Sequence, residues 1–134
     1  KIRRKHKAYL VSRYKVKDFI SNLNPKKYYL FGFAADQSPR EVGKSYINYF
    51  LGHKVPVFTG AERFSKDYDL SVVFADITRT KRGHYKTKFI EIKDKKDTNY
   101  SITNQFLKLL ENQIYRDPSQ YFWTHNRFKH LRTN

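Results

Sequence analysis

An acid–amide pair, Asp36-Gln37, closes a continuous apolar and aromatic run from Tyr28 to Ala35 and opens onto Ser38-Pro39. Polar groups at the end of a buried strand of an α/β sheet point into a ligand crevice. Asp36 and Gln37 are therefore candidates for orienting a substrate head group, or for holding the Ser38-Pro39 loop as cap and turn. Thr59-Gly60-Ala61-Glu62 reads as the start of a helix. Thr59 with Glu62 three residues on makes a capping box, and the free N–H groups around Gly60 favour an anion. In Trp123-Thr124-His125-Asn126-Arg127-Phe128-Lys129, two cations, Arg127 and Lys129, flank an aromatic. That pattern suits a lipid phosphate beside an apolar boundary, or a core aromatic anchor with a basic tail. Lys81-Arg82-Gly83 reads as a turn with solvated charges.

These residues need elements to position them. Ala8–Tyr14 reads as a short strand, and Val16, Phe19, Ile20 and Leu23 recur at helical spacing, which predicts a helix over Val16–Leu23. Asn24-Pro25 stops it. Tyr28–Ala35 has the pattern of a strand buried on both faces. Strand, helix, strand begins a βαβ unit, so a parallel pair is expected. Asp36–Lys44 is a loop, Ser45–Leu51 is ambiguous, and Gly52–Val57 connects onward. A helix over Gly60–Tyr68 precedes two strands, Leu70–Ile77 and Tyr85–Ile92, joined as a hairpin by Lys81-Arg82-Gly83. Ser101 or Thr103 caps the next helix, in which Ile102, Phe106, Leu109, Leu110 and Ile114 form one apolar stripe. Asp117-Pro118 ends it. The fold class expected is α/β, a partial mixed and mainly parallel sheet flanked by helices.

Composition narrows the function. The 134 residues carry 28 Lys and Arg against 12 Asp and Glu, a net charge of +16. Such an excess attracts polyanions, namely nucleic acid, an anionic membrane leaflet or a phosphorylated substrate. No cysteine is present, which removes disulfides, zinc–cysteine sites and thiol nucleophiles. No stretch approaches the roughly 18 apolar residues that span a bilayer. The chain opens Lys-Ile-Arg-Arg-Lys-His-Lys and contains no methionine. We read it as starting inside a larger protein.

In this order, Gly32–Pro39, Phe58–Glu62, Thr80–Tyr85 and Phe122–Lys129 resemble the C-terminal half of the lipid A late acyltransferases, in the lysophospholipid acyltransferase superfamily. The resemblance covers nearly the whole chain from about Ile2 onward. It implies that residues 1–134 are a single C-terminal portion of an acyltransferase domain. The family moves a fatty acyl chain from an acyl-carrier protein thioester to a lipid A precursor or related lysolipid, with no metal or redox cofactor. It works at the cytoplasmic face of the bacterial inner membrane, anchored by an N-terminal segment. The partners implied are acyl-carrier protein, the anionic membrane surface with its lipid acceptor, and an N-terminal half or a second chain. No specific nucleic acid is expected.

The superfamily's chemistry needs a His-x-x-x-x-Asp/Glu dyad, the histidine taking the acceptor's proton and the carboxylate orienting the imidazole. Five positions after His6, His53, His84 and His125 stand Val11, Phe58, Phe89 and His130, and after His130 the chain runs out. No histidine qualifies, so no catalytic residue is assigned here and the chain alone is expected to be inactive. The substrate-binding candidates implied are Arg3, Arg4, Asp36, Gln37, Gly60, Glu62, Arg127 and Lys129. Arg3-Arg4-Lys5 sits where the family has an arginine-containing segment that serves the acceptor or the developing oxyanion, tasks that suit a forked, permanently charged donor.

A second constellation belongs to another class. Asp76 ends one strand and Glu91-Ile92-Lys93 ends the next. This resembles the PD-(D/E)xK nucleases, in which the two carboxylates hold Mg²⁺ and the lysine steadies a water. A nuclease, or a plain basic nucleic-acid-binding module, is the alternative reading.

Overall fold

The computed structural model describes residues 8–12, 14–40, 43, 45–95 and 98–132. Arg3 and Arg4 lie outside the described residues. The chain divides into two units, Lys1–Gly32 and Phe33–Asn134.

In the first unit the expected helix forms as α1, Val16–Ser21. The Phe19 ring meets the Tyr9 ring at 6.0 Å between centroids. α1 ends at Ser21, short of the expected Leu23, and Asn24 turns the chain beyond it, its Oδ1 accepting the Lys26 N–H at 2.9 Å. Residues 8–12 form no strand.

The second unit holds β1 (Tyr46–Phe50), β2 (His53–Val57), α2 (Gly60–Asp67), β3 (Val72–Lys81), β4 (His84–Ile92) and α3 (Ser101–Arg116), followed by a short 3-10 turn over Pro118–Gln120. β1 pairs only with β2 and β3 only with β4, both antiparallel. This corrects the expectation of a mainly parallel sheet. It also corrects Tyr28–Ala35, which is not a strand and whose Tyr28 and Leu30 side chains are exposed. A continuous apolar run carries no facing information of its own, and a strand exists only where another backbone meets its N–H and C=O groups. The segments that do pair are those whose partner lies one tight turn away.

The turns explain that locality. Leu51 and Gly52 join β1 to β2 with φ of +49° and +79°, the two positive values that a two-residue hairpin turn of matching twist demands. The Leu51 N–H donates to Glu111 Oε1 on α3, at 2.5 Å. Gly83, at φ +76°, turns β3 into β4, the hairpin expected from Lys81-Arg82-Gly83.

Strand alternation then decides which residues are buried. Val72, Phe74 and Asp76 share a face with Ile92, Ile90 and Lys88. This face meets α3, where the Phe74 and Phe106 rings sit edge to face at 5.8 Å. The core comprises Phe50, Val55, Val57, Phe74, Ile92, Ile102, Leu107, Leu110 and Ile114. Four of these come from one stripe of α3 at helical spacing, each burial contributing about 1.5–3 kcal/mol. Leu107 belongs to the stripe although the sequence reading omitted it. The opposite hairpin face, with Val73, Ile77, Arg79, Tyr85 and Phe89, is open to solvent.

Candidate functional site

The Asp36–Pro39 backbone is held from the far end of the chain. The Tyr121 hydroxyl donates to the Asp36 carbonyl at 3.0 Å. Arg127 Nη1 donates to the Gln37 carbonyl. The Ser38 N–H donates to His125 Nε2 at 3.1 Å, and His130 Nε2 stands 3.2 Å from the Pro39 carbonyl. Four consecutive residues are thus engaged by four side chains drawn from Tyr121 to His130.

That C-terminal segment is itself built to stay in place. Asp117 starts the 3-10 turn, its carboxylate accepting Ser119 N–H at 3.2 Å and Ser119 Oγ at 2.6 Å. Those hydrogen bonds, with one from Gln120, hold its carboxyl below the usual range. The Trp123 indole N–H donates to the Pro118 carbonyl at 2.7 Å, and its ring meets Tyr121 edge-on at 4.9 Å.

Arg127 is 2 % exposed. Its guanidinium lies 5.1 Å from the centre of the Phe50 ring, a cation–π contact in the core. Burial lowers its pKa against the opposing pull of Tyr121 and Asp36. Arg127 Nε and Nη2, and the buried Ser38 Oγ, find no hydrogen-bond partner among the described residues. A lipid phosphate at a membrane boundary would not reach this guanidinium as it stands. Its geometry is that of a residue that positions the Asp36–Pro39 backbone. Lys129, half-buried, is not drawn into the same set of contacts.

Beside the clamp lies a cleft of about 320 Å³, lined by Phe33, Ala35, Ile77, Ile114 and Phe122, with Asp36, Gln113 and Gln120 as polar members. Asp36 is half-buried, and Gln37 is exposed and does not line the cleft. Tyr121 also lines the cleft, and burial pushes its hydroxyl pKa up.

Gly60 and Glu62 serve a different junction. Thr59 makes no side-chain cap bond to α2, so the expected capping box does not form. Glu62, 4 % exposed, instead caps α3: its Oε2 accepts Thr103 N–H at 3.0 Å and Thr103 Oγ1 at 2.7 Å, while Lys66 Nζ stands 2.8 Å from Oε1. The residue preceding α3 is Tyr100 in the left-handed conformation, with no cap bond of its own. Neither Ser101 nor Thr103 takes the N-cap role expected of it, and a carboxylate from α2 fills the gap.

The described histidines are engaged structurally. His125 accepts from a backbone N–H, so its Nε2 lone pair is occupied. His53 stacks edge-on against Phe128 at 5.3 Å, and His84 Nδ1 lies 3.1 Å from the Arg82 carbonyl. The nuclease constellation is taken apart by strand alternation. Asp76 faces α3, where Arg116 holds it bidentately at 3.0 and 2.5 Å and lowers its carboxyl pKa. Glu91 pairs with Val73 on the opposite face. Among the described residues no group of three His, Cys, Asp or Glu side chains could hold a metal.

Tyr121 and His130 were not singled out from the sequence. Their only signal there is that they bracket the Trp123–Lys129 run. Among curated proteins and among solved structures, none matches the chain. The pairing of the Asp-Gln segment with the aromatic-His-x-Arg-aromatic-Lys segment joins the two stretches that carried the resemblance, and one family matches residues 1–130 of the 134: the chain belongs to the bacterial lipid A biosynthesis acyltransferases.

Proposed function

We propose that this chain supplies the acceptor side of an acyl transfer from an acyl-carrier protein thioester to a lipid A precursor or related lysolipid. One observation carries the reading. The Asp36–Pro39 backbone is pinned by Tyr121, His125, Arg127 and His130 at the wall of an apolar cleft whose polar lining includes Asp36 and Asp117. An apolar cleft with a few polar groups suits an acyl chain and its head group. In the reaction a base takes the acceptor hydroxyl's proton as its oxygen bonds to the thioester carbonyl. The C–S bond then breaks and the thiolate leaves with a proton. The base and its carboxylate partner would come from a preceding half of the domain or a second chain, since no histidine here has the required spacing. The site of action proposed is the cytoplasmic face of the inner membrane, reached peripherally or by an anchor. Among the described residues no helix is long and apolar enough to cross a membrane.

The test uses the purified chain, labelled acyl-carrier protein and a lysolipid or lipid A precursor in detergent. We expect acceptor binding without turnover, and a tenfold or greater loss of binding in Ala35→Trp, which fills the cleft. Absence of acceptor binding sinks the reading. Turnover that survives replacement of all five histidines by alanine refutes the family mechanism for this chain.

A further inference from the structure

Beyond Ile77, which lines the cleft, and Arg79, whose Nη2 donates to Ser119 Oγ at 3.4 Å, the turn end of the β3–β4 hairpin presents a surface that the core and the clamp leave open. From Ile77 to Phe89 the hairpin carries five cations and no carboxylate; Lys86 and Lys88, opposite Thr78 and Asp76, stand on the α3 face, which leaves Arg79 on the other face and Lys81 and Arg82 at the turn. Tyr85 and Phe89 stand on the face turned away from α3, 63 % and 64 % exposed. Arg79 is the cross-strand partner of Tyr85, so a cation and an amphipathic ring project side by side. Lys81 and Arg82 follow at the turn.

Charge complementarity and ring exposure together select the partner. A DNA duplex would satisfy the cations and leave both rings in water, and the lipid acceptor of the acyl-transfer reading is met at a lipid surface rather than on a protein. An anionic lipid surface satisfies both: phosphates take the cations, and the rings enter the boundary where one end is apolar and the other wet. We infer that the distal β3–β4 hairpin is the element that docks on an anionic lipid leaflet, with Tyr85 and Phe89 entering the interface and Lys81 and Arg82, at the turn, on the headgroup phosphates. The inference rests on the acyl-transfer reading in that a lipid acceptor must be met at such a surface, yet it can fail alone.

The chain has no cysteine, so a single Tyr85→Cys variant can carry an environment-sensitive fluorophore. A Lys108→Cys variant, labelled on an exposed position of α3, serves as the reference. With phosphatidylglycerol vesicles the position-85 label should shift to the blue and the position-108 label should not. Phosphatidylcholine vesicles should move neither. Each cation near an anionic leaflet is worth roughly five-fold in partitioning. Lys81→Gln and Arg82→Gln combined should therefore weaken vesicle binding about twenty-five-fold, with the far-UV circular dichroism unchanged. Vesicle binding with a silent position-85 label, or undiminished in the double variant, overturns the hairpin and leaves the acyl-transfer reading intact. The same holds if the chain binds no vesicle but binds acceptor in detergent. Tighter binding to single-stranded or duplex DNA than to vesicles at matched salt also overturns it.

Discussion

Removing the Glu62 carboxylate separates a structural role from a ligand-binding one. In Glu62→Ala the two bonds from Thr103 are lost and a buried backbone N–H at the start of α3 goes unpaired. Hydrogen bonds to a charged group are worth about 1.5–3 kcal/mol, and an N-cap about 1 kcal/mol. These overlap, because the cap here is one of the hydrogen bonds. Lys66 is nearly half in water, so its ion pair adds less than about 1 kcal/mol. The expected loss is about 3 kcal/mol, against about 1–2 kcal/mol for Glu62→Gln, which keeps an acceptor oxygen and loses the charge. With a urea slope of about 1.5 kcal/mol/M, Glu62→Ala should unfold at a midpoint roughly 2 M lower. The effect should also depend on pH. Burial raises the Glu62 carboxyl, but hydrogen bonds from Lys66 and Thr103 more than offset it and hold it below the ordinary carboxylate value. A carboxyl depressed in the folded state contributes in full above its unfolded value and loses that contribution as pH falls through the folded one. Urea titrations by circular dichroism at pH 7 and pH 3 should therefore show the gap between wild type and Glu62→Ala narrowing in acid. Midpoints within about 0.3 M at pH 7, or a gap unchanged at pH 3, would refute the capping argument and return Glu62 to the list of free carboxylates.

Two further outcomes follow from the geometry of the site. Arg127→Leu removes two unpartnered buried N–H groups along with the bond to Gln37, so stability should change by less than about 1.5 kcal/mol, while amide exchange across residues 37–40 rises; unchanged exchange would show that Arg127 does not position the segment. Asp76→Asn weakens a bidentate ion pair whose carboxylate side chain is 14 % exposed and should cost about 1–3 kcal/mol in thermal unfolding, and magnesium-dependent DNA cleavage that disappears in this variant and in Glu91→Ala would restore the nuclease reading.

Which elements exist was legible wherever the signal is local. The Gly83 turn and the β-branched runs around it give β3 and β4, and the spacing of Ile102, Leu110 and Ile114 gives α3, because turn geometry and a helical stripe are written within a few residues. The family was legible too, through Asp36-Gln37 and Trp123–Lys129. Roles were harder to read. Thr59-Gly60-Ala61-Glu62 matches a capping box letter by letter, yet Glu62 serves a helix that begins 39 residues later. A carboxylate takes whichever unpaired N–H it can reach once both are buried, and the sequence does not record that distance. Asp76 and Glu91 have the spacing of a metal pair, but the hairpin register turns them to opposite faces. Arg127 reads as a surface cation in a basic tail. Only the folded chain shows it buried against Phe50 with the Gln37 carbonyl. Tyr28–Ala35 marks the same limit for backbone: an apolar run states that it should be covered, and the hydrogen bonds that would make it a strand must come from a partner that composition does not name.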